Sequence, residues 1–329
     1  MDAALAKLTR PVRLLAVGGT IAMRGARAVP AIDAPGLVKQ VPELAAVPAL
    51  EAETLMSLPG AHVALPEALE IARRAADAAG SGEGVVITTG TDTMEELAAL
   101  CAIVHAGPAP IVLTGANRPG SAPGADGAAN LIDAVALAGS AAAEGLGTVV
   151  AFGGEIHGAM TVRKVDSTGP AAFGSPVAGP LGRIVEARLW LHAKPVRPTP
   201  LKVGRLEYRV PIVSTALGDD GHALGEAAAG SDGAVLVALG AGHVPVAVLG
   251  ELRDAAQRIP VVVTCRPDRS SMLFSTYGFE GAEGDVRQSG AICTPFLSPA
   301  AARIAVLCCL GAGLEQAEIA AALAPWDAA

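Results

Sequence analysis

The stretch of sequence that decides the fold is 85–97, Val-Val-Ile-Thr-Thr-Gly-Thr-Asp-Thr-Met-Glu-Glu-Leu. Its first residues are apolar and mostly β-branched, which predicts a strand buried on both faces. Apolar residues recur at helical spacing from Met94 onward, and Thr93 with Glu96 matches a capping box. The stretch therefore predicts a strand, a short loop, and a helix that begins near Thr93.

Two polar residues, Thr91 and Asp92, occupy the predicted loop. Open α/β sheets bind ligands at the carboxyl ends of their strands, so both side chains are candidate site residues. Taken alone, they are better explained as ordinary turn residues. A second stretch at 13–22 repeats the pattern, because an apolar strand again ends in glycines and is followed by Thr20. This repetition favours a functional interpretation of both strand ends.

The composition predicts a compact chain with a core of small aliphatic residues. Hydrophobic residues make up 51% of the sequence but aromatic residues only 3%, so Ala, Val, Leu and Ile must fill the core. The 39 glycines and 24 prolines are spread along the chain, which favours many tight turns over disorder. The net charge is −8 and the basic residues are not clustered, which argues against nucleic acid and anionic membranes as partners.

Strand, loop and helix units repeat along the chain, which predicts parallel strands joined by right-handed crossovers. The predicted fold class is α/β. A larger amino-terminal domain, at 1–193, is expected to contain a doubly wound, mostly parallel sheet. A proline-dense linker at 194–207 then leads to a smaller carboxyl-terminal α/β domain at 208–329.

The segment 23–36, which follows Thr20, is rich in glycine, proline and small residues and predicts a loop. Its position beside a candidate site makes it a candidate lid, although an ordinary connection fits its composition equally well.

The cysteines and the amino terminus predict a cytoplasmic protein. The five cysteines are odd in number, form no CxxC pair and lie partly in apolar runs, as expected for reduced, buried thiols. The first residues contain no long apolar segment, so no signal peptide is predicted. The apolar run at 304–314 is too short to span a bilayer.

Two motifs, Gly-Gly-Thr-Ile-Ala at 18–22 and Thr-Gly-Thr-Asp-Thr-Met-Glu-Glu at 89–96, resemble the bacterial-type L-asparaginases of the asparaginase/glutaminase family. The resemblance spans nearly the whole chain, with further matching segments at 115–119, 125–127, 161–167, 240–243 and 282–285. It implies that Thr20 attacks the side-chain amide of L-asparagine and forms an acyl-enzyme, releasing ammonia and then aspartate. A threonine needs a base to become nucleophilic, and a lysine kept neutral by burial can serve. The resemblance implies that Thr91, Asp92 and Lys164 form a second polar triad that relays protons and activates water.

The resemblance also implies a set of substrate-binding residues. Asp92 is expected to hold the α-ammonium group, and the loop 57–61 the α-carboxylate. Glu283 is expected to reach the site of a neighbouring subunit, which implies a homodimer or homotetramer. The full set is Ser57, Gly60, Ala61, Gly90, Thr91, Asp92 and Glu283. No cofactor and no metal are expected, because no dinucleotide, phosphate-loop or metal motif occurs.

The sequence departs from the family pattern at several positions. The family lid usually carries a tyrosine that contacts the nucleophile, whereas Tyr208 and Tyr277 both lie outside the predicted lid. Asn117 stands where Met is usual, and His243 where Asn is common. The serine of the carboxylate-binding loop is followed by Leu-Pro-Gly rather than by polar residues, which leaves its register open.

Three alternatives therefore remain beside an asparaginase. A catalytically weak amino-acid-binding homologue would explain the missing lid tyrosine. An amidohydrolase that acts on glutamine or another amide shares the same motifs. A nucleotide-binding oxidoreductase is disfavoured, because the turn at 240–242 lacks the third glycine of a dinucleotide fingerprint.

Overall fold

The computed structural model of the chain describes residues 1–25 and 29–327. The chain divides into two compact units, Met1–Pro200 and Leu201–Ala329. The division falls inside the segment 194–207 that was predicted as a linker.

The first unit contains twelve strands in its described part. They are β1 (Val12–Gly18), β2 (Met23–Arg24), β3 (Val29–Pro30), β4 (Leu50–Leu58), β5 (Gly84–Thr88), β6 (Ile111–Thr114), β7 (Thr148–Phe152), β8 (Glu155–Gly158), β9 (Arg163–Lys164), β10 (Phe173–Gly174), β11 (Gly182–Val185) and β12 (Arg188–Leu191). Its α-helices are α1 (Asp2–Leu5), α2 (Ala34–Lys39), α3 (Leu65–Gly80), α4 (Met94–Val104) and α5 (Gly127–Gly139).

Eight of these strands form one sheet in the order β12-β11-β8-β7-β6-β5-β1-β4. The five strands from β7 to β4 are parallel, and β8, β11 and β12 add an antiparallel edge. The predicted α/β class with a mostly parallel sheet is confirmed. The strand order reverses at β1, because β4 lies on one side of it and β5 on the other. The carboxyl ends of β1 and β5 therefore form the switch point at which such sheets bind ligands.

The central strands are buried on both faces, as their continuous apolar sequences predicted. In β5, alternate residues point to opposite faces: Val86 joins the core beneath α5, while Val85 and Ile87 face the other side. Every residue of β5, β6 and β7 is buried, since helices cover the sheet. Among the described residues, no helix is both long and apolar enough to cross a membrane.

Two local predictions near the switch point are corrected by the structure. The capping box at Thr93 does not form, because the Thr93 hydroxyl donates to the Gly60 carbonyl (3.2 Å) and α4 begins at Met94. The segment predicted as a loop at 23–36 contains the antiparallel pair β2 and β3 and the start of α2, where the Asp33 side chain accepts from the Gly36 N–H (2.8 Å). Part of the candidate lid, at 26–28, lies outside the described residues.

The second unit contains a separate parallel sheet. Its strands are β13 (Ile212–Ser214), β14 (Ala234–Ala238), β15 (Val261–Cys265) and β16 (Ile292–Cys293), paired in sequential order. Its helices are α6 (His222–Ala228), α7 (Val246–Ala256), α8 (Glu283–Arg287), α9 (Pro299–Gly311) and α10 (Gln316–Leu323). Alternate residues of β14 and β15, such as Leu236 and Val263, share a core with α6 and α7. The predicted smaller carboxyl-terminal α/β domain is confirmed.

All five cysteines are free and buried. Burial raises the pKa of the thiols of Cys101, Cys293 and Cys309 to about 12, so these side chains stay protonated at neutral pH. Protonated, buried thiols act as small apolar core residues rather than as nucleophiles.

A buried histidine makes stability depend on pH. His105 follows α4 and is 1% exposed. Burial lowers its pKa to about 4, and the nearby Arg197 charge acts in the same direction. The unfolded chain binds this proton near pH 6.5, so the native state loses stability as pH falls from about 6.5 to 4, by about 3 kcal/mol in total. We expect the free energy of unfolding of His105→Leu to fall less than that of the wild type between pH 7 and pH 4.5, as measured by urea unfolding at both pH values. Wild-type and variant stabilities that fall in parallel over this window would contradict the assignment.

Candidate active site

The site begins where β1 and β5 end. The two strands run in parallel register, with Ala16 opposite Thr88. After β1, Gly19 has φ 80° and ψ −178°, a conformation that is essentially restricted to glycine, and Thr20 follows in a short 3-10 turn. A Cβ atom on Gly19 would lie 2.4 Å from the Gly90 nitrogen. The loops that carry Thr20 and Thr91 therefore touch backbone to backbone, which only glycine at position 19 permits.

A third loop, from the end of β4, joins this contact. A Cβ atom on Gly90 would lie 2.8 Å from the Gly60 nitrogen, so these two backbones also touch. The hydrogen bond from Thr93 to the Gly60 carbonyl fastens the same pair of loops. Ser57, at the end of β4, and Ala61 are both exposed, whereas Gly60 is buried. The structure thus brings the predicted carboxylate-binding loop next to the two threonine loops.

Three of the predicted site residues are joined directly by hydrogen bonds. The Lys164 ammonium group donates to the Thr91 hydroxyl (2.8 Å) and to the Asp92 carboxylate (2.7 Å). Thr91 is 6% exposed, whereas 74% of the Asp92 side chain is exposed. A largely solvated ion pair contributes little to folding stability. The arrangement instead leaves one face of the Asp92 carboxylate open to a cationic ligand group.

Lys164 reaches this position because its hairpin is fixed on two sides. Strand β9 pairs with β10, where Lys164 lies opposite Phe173. The Phe173 ring packs against Phe152 of β7, with ring centroids 5.0 Å apart. The Lys164 backbone N–H donates to the Glu95 carboxylate on α4 (3.1 Å). Glu95, which follows Thr91 and Asp92 closely in sequence, therefore helps to position Lys164, which comes from a distant segment.

The structure adds Asn117, which the sequence marked only as a departure from the family pattern. Its Oδ1 accepts a hydrogen bond from the Thr91 hydroxyl (3.2 Å), and its Nδ2 donates to the Gly169 carbonyl (2.8 Å). Its backbone N–H donates to the Asp126 carboxylate (3.0 Å). One signal for this role was present: Asn117 follows β6 closely, as Thr20 and Thr91 follow β1 and β5.

Thr20 is half-buried, and its hydroxyl has no hydrogen-bond partner within the part of the chain that the structure describes. Its neighbour Arg24 donates to the carbonyl of Met23 (3.0 Å). The predicted lid residue Arg27 lies outside the described residues. The structure therefore marks no proton acceptor for Thr20 by a hydrogen bond in the described residues.

Glu283 lies in the second unit at the start of α8 and is fully buried. Burial acts to raise the pKa of this carboxyl, but hydrogen bonds from the Tyr277 N–H (2.9 Å), the Thr276 N–H and the His243 ring (3.1 Å) hold it below its usual range. The carboxylate is therefore ionised, with both oxygens bound inside its own unit. A role of Glu283 in a neighbouring subunit's site stays a prediction.

The His243 side chain, predicted to replace a family asparagine, supports an aromatic cluster. The rings of Tyr277 and Phe279 contact His243 edge to face, with centroids 5.0 and 5.1 Å from it. Both aromatic side chains are 50% exposed. The surface beside Glu283 is therefore unusually apolar for solvent contact.

In the described residues, no group of three or more histidine, cysteine, aspartate or glutamate side chains could hold a metal ion. The chemistry available at the site comes from hydroxyl, ammonium, carboxylate and amide groups.

Both parts of the chain match known protein families. Residues 11–197 match the family described as "Asparaginase, N-terminal", and residues 209–323 match "Glutaminase/Asparaginase C-terminal domain". The chain belongs to the asparaginase family, which confirms the resemblance of its two threonine motifs.

Relatives and solved structures of the same family match the chain over different lengths. A probable L-asparaginase of Deinococcus radiodurans is 35% identical and covers 97% of this chain and 97% of its own length. A glutaminase-asparaginase of Pseudomonas fluorescens biotype A is 37% identical over 195 residues, which are 56% of this chain and 54% of that protein. A crystal structure of a probable cytoplasmic L-asparaginase from Campylobacter jejuni has a TM-score of 0.85 and 29% identity, covering 96% of this chain and 99% of that one.

Proposed function

We propose that this protein is an L-asparaginase, which hydrolyses the side-chain amide of L-asparagine to L-aspartate and ammonia. The observation that carries the proposal is the contact of Lys164 with both Thr91 and Asp92 at the switch point of the sheet. This arrangement occurs in a chain of the asparaginase family, beside a loop that presents Thr20.

The proposed reaction proceeds in two steps. The Thr20 hydroxyl adds to the amide carbon, the carbon–nitrogen bond breaks, and ammonia leaves with the proton from Thr20. The resulting ester is then attacked by water, which releases aspartate and returns a proton to Thr20. Thr91 and Lys164 hold and activate this water. The exposed face of Asp92 binds the α-ammonium group, and the loop 57–61 binds the α-carboxylate.

The position of the oxyanion donors is constrained by the backbone. The Gly19 N–H donates to the Leu58 carbonyl (3.1 Å), so it does not serve the developing oxyanion in this arrangement. The Thr89 N–H is likewise occupied, because it donates to the Thr114 carbonyl (3.0 Å). We assign this role to the backbone N–H groups of Gly90 and Thr91, in the loop that touches Gly19.

The proposal is tested by ammonia release from L-asparagine, L-glutamine and simple amides at equal concentration. We expect L-asparagine to be the preferred substrate. The glutaminase-asparaginase of Pseudomonas fluorescens supports glutamine as the second candidate, and a higher kcat/KM for glutamine would select it. Thermal stabilisation by aspartate without ammonia release would instead indicate the amino-acid-binding homologue.

We propose a cytoplasmic location and a homodimeric or homotetrameric state. The free, buried cysteines support a reducing compartment, as does the similarity to the probable cytoplasmic L-asparaginase of Campylobacter jejuni. The exposed aromatic cluster at Tyr277 and Phe279 supports an interface between copies of the chain.

A shared site predicts complementation between inactive chains. We expect Thr20→Ala and Glu283→Gln each to be nearly inactive when alone. Mixing them with subunit exchange would place Thr20 and Glu283 together in one site of each hybrid dimer, restoring about a quarter of wild-type activity in a random mixture. Exchange is verified by mass spectrometry of the intact assemblies. A fully active monomer, or no recovery after verified exchange, would contradict a shared site.

A further inference from the structure

We propose that Asn117 is a positioning residue, which sets the orientation of the Thr91 hydroxyl for the step in which water attacks the acyl-enzyme. The inference rests on the proposed function, because it concerns the second half of that reaction. It begins from the two opposite hydrogen bonds of the Asn117 amide, one to Thr91 and one to Gly169.

The orientation of this amide is determined by its partners. The Gly169 carbonyl only accepts hydrogen bonds, so the side-chain NH₂ group must face it (2.8 Å). The reversed amide would place two acceptor oxygens against each other. The Asn117 Oδ1 atom therefore faces Thr91, and the Thr91 hydroxyl must donate its single proton to it.

The Gly169 carbonyl is itself held in place. The Asp166 carboxylate accepts hydrogen bonds from the Thr168 and Gly169 N–H groups, both at 2.8 Å, which closes a tight turn. The Asn117 backbone is fixed on its other side by Asp126 (3.0 Å). The amide is thus clamped between two defined turns rather than attached to a free loop.

This clamp determines what the Thr91 oxygen can do. Its proton is directed to Asn117, so its lone pairs accept hydrogen bonds, one of them from Lys164 (2.8 Å). A second lone pair is left for a proton donor such as water. In this arrangement Thr91 orients water as an acceptor. Its proton could pass to Lys164 only after the lysine has given up a proton and the Thr91 hydroxyl has rotated away from Asn117.

The test replaces Asn117 by Met, which has no side-chain amide to hold Thr91 or Gly169, and by Asp. Met removes both hydrogen bonds, whereas Asp retains an acceptor for the Thr91 hydroxyl but loses the donor to Gly169 and adds a negative charge. Gln40→Met, an exposed polar-to-Met change on another segment, is the matched control. The readouts are kcat, KM, melting temperature, and the fraction of acylated Thr20 peptide after acid quenching during turnover.

We expect Asn117→Met to lower kcat about tenfold, the size of effect expected for one hydrogen bond. Because slow attack by water lowers kcat and KM together, KM should fall with kcat and acyl-enzyme should accumulate on Thr20. Asn117→Asp should keep a kcat at least about threefold above that of the Met variant, because it preserves the acceptor for Thr91. Gln40→Met should match the wild type in every readout.

A lower kcat at unchanged KM, without acyl-enzyme, would overturn the proposal, because it indicates fewer correctly folded sites. An unchanged kcat in Asn117→Met, or equal losses in the Met and Asp variants, would also overturn it. A wild-type protein that releases no ammonia would overturn the proposed function itself, and with it this inference. If Asn117→Met does not fold, the Asp variant still decides: a tenfold loss of kcat without acyl-enzyme counts against the role.

Discussion

Replacing Thr20 by Ala is expected to lower kcat for ammonia release from L-asparagine by about 10⁴-fold or more, while the protein stays folded. The reason is that Thr20 is the proposed nucleophile, whose hydroxyl forms the ester in the first step of the proposed reaction. Thr91→Ala should cause a loss of similar size, because it removes the hydroxyl that Lys164 and Asn117 both hold. Steady-state ammonia release, with protein concentration corrected for folded fraction, measures both effects.

A matched control separates these losses from the general effect of deleting a threonine hydroxyl. Thr168 is exposed in the turn at 166–169, and only its backbone N–H is bound there. Thr168→Ala should retain near-wild-type activity. If Thr20→Ala retained substantial activity, the nucleophile would have to be reassigned. If Thr91→Ala retained substantial activity, Thr91 would not be a catalytic residue.

The larger strands could be predicted because their continuous apolar sequences indicate burial on both faces. The apolar run that begins at Val85 became β5 (Gly84–Thr88), and β6 (Ile111–Thr114) and β14 (Ala234–Ala238) are also mostly apolar and fully buried. A strand buried on both faces is apolar at nearly every position. This pattern can be recognised within one segment, without knowing which strands lie beside it. The helices that follow these strands could be predicted for the same reason, from apolar residues at helical spacing.

The short strands and the cross-chain contacts could not be predicted in this way. Strands β9 and β10 have two residues each, too few to show a periodic pattern. The sequence predicted that the Thr93 side chain would cap α4, but its hydroxyl donates a hydrogen bond to the Gly60 carbonyl instead. Local pattern gives what one segment prefers, whereas these hydrogen bonds join segments that are distant in sequence.

The candidate site shows the same division. The threonines Thr20 and Thr91 could be proposed from their motifs, and the lysine of the second triad from its match to the family. The role of Asn117 could not, because it depends on the Gly169 carbonyl, 52 residues away in the chain. The internal contacts of Glu283 were also missed, since the motif showed its position but not its partners His243 and Tyr277.

The second large effect is expected for Gly19→Ala, which should lower kcat by more than about 10³-fold and destabilise the fold by about 3 kcal/mol or more. Two costs add at this position. The backbone of Gly19, at φ 80° and ψ −178°, is strained for any residue with a Cβ atom. The added Cβ would also lie 2.4 Å from the Gly90 nitrogen and 2.5 Å from the Thr89 carbonyl carbon. Neither neighbour is a flexible side chain, so the two threonine loops must separate.

Gly82→Ala isolates the backbone cost from the steric one. Gly82 has φ 94°, and a Cβ atom there would meet nothing within 4 Å. It lies in the turn between α3 and β5, away from the carboxyl ends of the strands, so we expect a loss of about 1 kcal/mol and unchanged kinetics. Urea unfolding and ammonia release on both variants make the comparison. Equal destabilisation in the two variants would show that the loops of Gly19 and Gly90 can separate at little cost in free energy. Full activity in Gly19→Ala would show that the close approach of Gly19 to Gly90 is dispensable, because the catalytic threonines would then tolerate separation of their loops.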